Sequence, residues 1–93
     1  MKTYSVYRMF TNKKNTYIGQ TSDLPTRITK HKYRYYGGDG SHYYVYQTFR
    51  MITETFEDIK FQVIKSFATK AEANNFEKKM IRKEGTLNTL HRI

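Results

Sequence analysis

Cysteine is absent from all 93 residues, which excludes a disulfide framework, a thiolate metal site and a thiol nucleophile, and leaves packing to hold the fold. Long apolar runs are absent as well. The N-terminal Met1-Lys2-Thr3-Tyr4 lacks the apolar core of a signal peptide and no stretch reaches membrane-spanning length, so a soluble, cytoplasmic protein is expected. There is no internal repeat and no low-complexity linker. With 38% hydrophobic residues in so short a chain, there is apolar surface for one core and not two, and residues 1–93 read as a single domain. The three histidines, His31, His42 and His91, lack metal-cluster spacing, which argues against zinc.

Acidic residues are scarce: 8 stand against 17 basic ones, for a formal charge of +9 and a pI near 9.8. Such an excess favours a polyanionic partner through phosphate neutralisation and counterion release, and nucleic acid leads among these. The excess is uneven. Residues 1–50 carry 9 basic and 2 acidic side chains, residues 51–93 carry 8 and 6, so most phosphate-facing surface is expected in the N-terminal half. Nine tyrosines add rings and hydroxyls that can stack on bases or bond phosphate oxygens, although Tyr is also simply a good strand and core residue.

Thr3 to Phe10 is rich in aromatic and β-branched residues and reads as a strand, Thr11-Asn12-Lys13-Lys14-Asn15 as a polar turn, and Thr16 to Gln20 as a second strand. A hairpin centred near Asn12 sets Tyr7 opposite Tyr17, with Ser5, Tyr7, Met9, Tyr17 and Gly19 on one face and Tyr4, Val6, Phe10 and Ile18 on the other. Ser22 or Asp23 can cap a helix whose first turn tolerates Pro25 and which Gly37-Gly38 stops after Tyr36. Its stripe of Leu24, Ile28 and Tyr35 includes His31, with Arg27 one turn ahead of His31 and pointing the same way. After the flexible Gly37-Gly38-Asp39-Gly40, a helix is expected from Ser41 to about Thr53, and a third strand from Asp58 to Phe67. Thr69-Lys70-Ala71-Glu72 forms a capping box, and its helix ends at Gly85. Short strands interleaved with helices imply an α/β or α+β domain: a small, largely antiparallel sheet with helices packed around it.

The last helix carries the strongest chemical signal. Ala73, Phe76, Met80 and Ile81 define its buried stripe, and Glu77 falls inside it where a Leu belongs. A carboxylate there must pair with a cation, bind a metal, or reach water past the edge of the core. Glu84, two turns later, reads as solvated. Arg27 is a planar, always-charged fork suited to phosphate oxygens and equally suited to a surface ion pair. His31 can act as a base near neutral pH or sit as a partly buried imidazole satisfied by a hydroxyl or carbonyl. Gly19 lets another group approach its backbone closely.

The order of these features resembles the GIY-YIG nuclease domain: Ser5-Val6-Tyr7, then Tyr17-Ile18-Gly19 ten residues on, then Arg27 and His31 on the next helix, Glu77 on a late helix and Asn88 after it. The similarity runs from Tyr4 to Asn88. It implies a three-stranded antiparallel sheet flanked by helices, with Tyr7, Tyr17, Arg27 and Glu77 on one concave face. It further implies an endonuclease acting on DNA, with RNA as the alternative to it. Glu77 would be the single carboxylate ligand of Mg²⁺ (or Mn²⁺), an ion that keeps several waters and takes phosphate oxygens. Arg27 would neutralise the phosphoryl group, and Tyr17, Tyr7 or His31 would serve as general base, with Tyr17 favoured. Ser5, Lys14, Gly19, Lys30, Arg34 and Asn88 are the expected nucleic-acid contacts, Asn88 positioning either a phosphate or the site itself. One departure stands out: Ser5 and Val6 occupy the places of Gly and Ile, and the Ser5 hydroxyl can bond phosphate or narrow the cleft.

With little chain outside such a domain, sequence specificity should be low, or come from a homodimer, an accessory partner or recognition of DNA shape. Two other classes compete with the nuclease. One is a non-catalytic nucleic-acid-binding module using the same basic face, which has no need of a carboxylate facing phosphates. The other is a partner-binding domain with tyrosine hot spots.

Overall fold

The computed structural model describes residues 2–12 and 14–88. Strands β1 (Tyr4–Asn12), β2 (Asn15–Thr21) and β3 (Lys60–Phe67) form an antiparallel sheet in the order β2-β1-β3, with helices α1 (Leu24–Tyr35), α2 (Tyr44–Ile52) and α3 (Lys70–Glu84) around it. This is the expected three-stranded α/β arrangement. Among the described residues no helix is long and apolar enough to cross a membrane.

The period of two along β1 sends alternate side chains to opposite layers. Tyr7 and Met9 join Tyr35 of α1, Val45, Tyr46 and Phe49 of α2, and Phe56, Ile59 and Leu87 in one core; Val6 and Ile18 join Ala73 and Met80 of α3 in a second. The sheet is therefore sandwiched between α1 with α2 on one side and α3 on the other. The face assignment of the hairpin is as expected, but its register is not. Tyr7 lies opposite Gly19, and Met9 opposite Tyr17. The turn is centred one residue later than the sequence suggests, which shifts the pairing by two residues. An even shift preserves faces and changes partners, so Tyr7 and Tyr17 are diagonal neighbours rather than an opposed pair. On the other side of β1, the register with β3 shifts between Val6 and Tyr7.

Asp23 caps α1, accepting from the Thr26 backbone and hydroxyl, with Pro25 in the first turn; Gly37, at a φ of 110°, takes the chain out of the helix in a conformation a side chain would strain. α2 starts later than expected, because residues 37–43 form turns. The third strand likewise starts at Lys60. Before it, Phe56–Asp58 makes a short 3₁₀ turn with a reciprocal capping box between Thr55 and Asp58. At α3 the expected box is half formed: the Thr69 hydroxyl accepts from Glu72 N–H but donates to the Glu72 carboxylate.

β2 is an edge strand, and the segment after α3 covers its outer side. Leu87 N–H donates to Thr16 C=O, the Thr86 hydroxyl accepts from Thr16 N–H, and the Asn88 amide both accepts from Ile18 N–H at 2.7 Å and donates to Ile18 C=O at 2.9 Å. A side-chain amide thus completes the ladder where a fourth strand would run.

Candidate active site

The centre of β1, the middle strand, is buried on both faces of the sheet. Tyr7 sits there, fully buried, and its ring crosses the sheet surface to end above Gly19 on β2. Its hydroxyl lies 2.7 Å from His31 Nε2, and the other imidazole nitrogen, Nδ1, lies 2.7 Å from the Tyr46 hydroxyl on α2. Tyr46 in turn receives a hydrogen bond from Arg34 Nη1 at 3.5 Å. α1 supplies His31 and Arg34 from adjacent turns, so the four side chains form one chain of contacts from Arg34 to Tyr7. Tyr17 stacks edge-on against His31, with ring centroids 5.8 Å apart.

Electrostatics separate the roles of these groups. Burial, then the neighbouring cations Arg27 and Arg34, push the His31 pKa down to about 3, so its imidazole is neutral at physiological pH. Burial raises the Tyr7 phenol well above its usual range; the adjacent phenols and the Glu77 carboxylate add to that, and Arg27 opposes it. Tyr17 is pushed up to about 12, by burial first and then by Tyr46 and Glu77, against Arg27 and Arg34. Both tyrosines therefore feel an acid and a cation at once: Glu77 and Arg27 bear on the same two phenols from opposite sides of the sheet.

Glu77 is half-buried on α3 and accepts a hydrogen bond from Gln20 Nε2 at 3.1 Å. Gln20 also donates to Asn74. Among the described residues no cation pairs with the Glu77 carboxylate. Of the three outcomes open to it, the ion pair is thus not adopted with any of the described residues; it lies at the rim of the α3 core, beside β2. Glu84 is the carboxylate that is paired, contrary to expectation. Arg8 Nη2 lies 2.8 Å from Glu84 Oε1, with Nε and Nη2 donating in a fork to the two oxygens. Arg8 reaches it because even-numbered β1 residues face α3, a cross-element contact that helix periodicity does not encode.

The remaining predicted positions are scattered. The Ser5 hydroxyl lies 2.8 Å from that of Ser66 on β3. Lys14 is exposed at the hairpin turn and Lys30 is exposed on α1. Asn88 is buried, and its amide is used on the Ile18 backbone. Among the described residues no group of three or more His, Cys, Asp or Glu could hold a metal, so a cation here would rest on the single carboxylate of Glu77. A groove of about 700 Å³ lies elsewhere, between Arg8, Phe10, Gln62, Lys83 and Glu84; it contains none of the predicted catalytic residues.

Sequence reasoning missed Tyr46 and Gln20. Tyr46 carried a usable signal: a buried tyrosine needs a partner for its hydroxyl, and His31 needed a hydroxyl partner if it was buried. Gln20 carried none, since nothing local marks a polar residue near a strand end as a neighbour of Glu77.

Residues 3–91 match the family model described as the GIY-YIG catalytic domain. Comparison with curated proteins and with solved structures returned no match.

Proposed function

Since this chain belongs to the GIY-YIG catalytic-domain family, a nuclease family whose members generally depend on a divalent metal and act on nucleic acid, we propose that residues 1–93 form one catalytic domain that hydrolyses DNA phosphodiester bonds. The observation that carries the reading is the half-buried Glu77 carboxylate, hydrogen-bonded by Gln20, without a cationic partner among the described residues and near enough to the Tyr7 and Tyr17 phenols for its charge to bear on both. A basic binding module gains nothing from a carboxylate in that place, because it would repel phosphate.

The donor set fits Mg²⁺ or Mn²⁺ rather than a softer ion: one carboxylate, half-buried and without a cationic partner among the described residues, and no thiolate or histidine cluster beside it. When bound, the ion supplies positive charge to the scissile phosphate and to the leaving oxygen. Arg27 neutralises the phosphoryl oxygens as charge builds on them in the transition state, its fixed fork matching two of them. The attacking water forms its bond to phosphorus as the P–O bond to the leaving oxygen breaks, and the water's proton goes to the oxygen of Tyr17 in its phenolate form, the minority form at neutral pH. Tyr17 suits this better than His31, whose two nitrogens are both engaged and whose imidazole is hard to protonate. Tyr7, more deeply buried, supports the site from beneath.

The test is cleavage of supercoiled plasmid and of labelled branched DNA, with Mg²⁺ or with EDTA, by wild type and by Glu77→Ala and Arg27→Ala proteins shown to be folded. Mg²⁺-dependent nicking lost in both variants supports the nuclease. Binding of every DNA without cutting, with Glu77→Ala binding as well or better, replaces it with a non-catalytic nucleic-acid module.

A further inference from the structure

We propose that Tyr46 is a positioning residue that fixes which nitrogen of His31 carries the imidazole proton, and thereby turns the positive end of the buried Tyr7 hydroxyl dipole toward the bound phosphate above it. The functional meaning rests on the nuclease reading; the hydrogen-bond order does not.

His31 is 1% exposed and its imidazole is neutral, so it has one N–H to share between two phenols, each 2.7 Å from a ring nitrogen. Two arrangements satisfy both contacts. In the first, Tyr46 donates to Nδ1 and Nε2–H donates to Tyr7, leaving the Tyr7 proton free. In the second, Tyr7 donates to Nε2 and Nδ1–H donates to Tyr46, leaving the Tyr46 proton free.

Arg34 decides between them. A guanidinium can only donate, so the Tyr46 oxygen already faces a cation and accepts from it. The second arrangement aims a second donor at that same oxygen and strands the Tyr46 proton beside the positive charge. It does so in a residue 2% exposed whose hydroxyl has no other partner among the described residues. The first arrangement runs head to tail away from the cation: Arg34 to Tyr46, Tyr46 to His31, His31 to Tyr7. Each successive bond polarises the next. The one proton left over belongs to Tyr7, one of the two phenols on which the Glu77 carboxylate bears.

Reversing the chain turns round the Tyr7 hydroxyl dipole beneath the bound phosphate. The defect then falls on the transition state, where charge on the phosphoryl oxygens is greatest, more than on binding.

The experiment is nitrogen NMR of the His31 imidazole in the intact protein, which reads the tautomer directly and needs no activity, alongside steady-state cleavage. Wild type is expected as the Nε2–H tautomer. Tyr46→Phe, which keeps the ring, and Arg34→Met, which keeps Tyr46, should each lose that preference. Tyr46→Phe should lower kcat about tenfold through the lost hydroxyl dipole, with KM within about twofold of wild type. Nδ1–H in wild type, or an unchanged tautomer in both variants, overturns the proposal. If wild type proves inactive on every nucleic acid while the tautomer responds as described, the nuclease reading fails and the role of Tyr46 in ordering these hydrogens stands.

Discussion

The Tyr7 hydroxyl occupies the space that a side chain at residue 19 would need: a Cβ built on Gly19 falls 2.5 Å from Tyr7 Oη. The ring behind that hydroxyl is fully buried and held by His31, so it has nowhere to withdraw. Gly19→Ala is expected to cost about 1–3 kcal/mol by overpacking and to reduce cleavage further by displacing the phenol. Chemical denaturation checks the first and kcat the second. Unchanged stability would show that the strands can part to admit a methyl group.

Asn88 serves as a substitute strand for Ile18. Replacing it with Ala orphans a buried N–H and a buried C=O together, a loss of about 1–3 kcal/mol for each group that water does not recover. Amide hydrogen exchange at Ile18 should quicken in Asn88→Ala far more than exchange in α1. Equal acceleration throughout would mean that the contact is not local.

Glu77 and Glu84 stand two turns apart on the same helix and should part company under mutation. Glu84→Gln breaks a partly exposed pair with Arg8 and should cost at most about 1 kcal/mol, leaving cleavage as it was. Glu77→Gln should leave the melting temperature close to wild type and remove Mg²⁺-dependent cleavage. The reverse pattern would transfer the catalytic role to the other carboxylate.

His31 ties stability to acid. Its folded pKa, about 3, lies below the ordinary value of 6.5, so the stabilisation is complete above pH 6.5 and is lost as the pH falls toward 3, where folded His31 also protonates. Across that window, unfolding takes up one proton at this residue and stability should fall by about 1.4 kcal/mol per pH unit. Denaturation midpoints of wild type and His31→Gln between pH 7 and 4 measure it. The variant should begin less stable and lose less.

In the proposed reaction Tyr17, as the base, sets the pH dependence. A base pushed up to about 12 is almost wholly protonated at neutral pH, so kcat should climb about tenfold per pH unit through the mildly alkaline range. Tyr17→Phe should flatten that climb. A wild-type profile that is level from pH 7 to 9 would assign the proton to another acceptor.

What the sequence made legible were features with local signatures: Asp23 and Gly37 bracketing α1, Thr69 and Gly85 bracketing α3, the alternation that sorted Val6 from Tyr7, and a carboxylate set among apolar residues at position 77. Contacts between elements distant in the chain left no such trace. The hairpin register depends on where a polar turn of five residues bends, and any of several centres fits that composition. The helix around Tyr46 has aromatic residues at mixed spacing, so its buried face emerges only once α1 and the sheet are in place. Arg8 with Glu84, and Asn88 with Ile18, join positions at least 70 residues apart, and neither member of either pair looks locally like half of one.

That last span bears on the order in which the molecule comes into being. A ribosome delivers the β1–β2 hairpin first, and the residues flanking Tyr17 then wait with their outer hydrogen-bonding groups bare until Thr86 and Asn88 emerge. A contact of such sequence separation is slow to close, and a bare edge invites foreign strands meanwhile. Locking of the strand that holds Tyr17 is thereby a late step in the making of residues 1–88, and waits on Thr86 and Asn88.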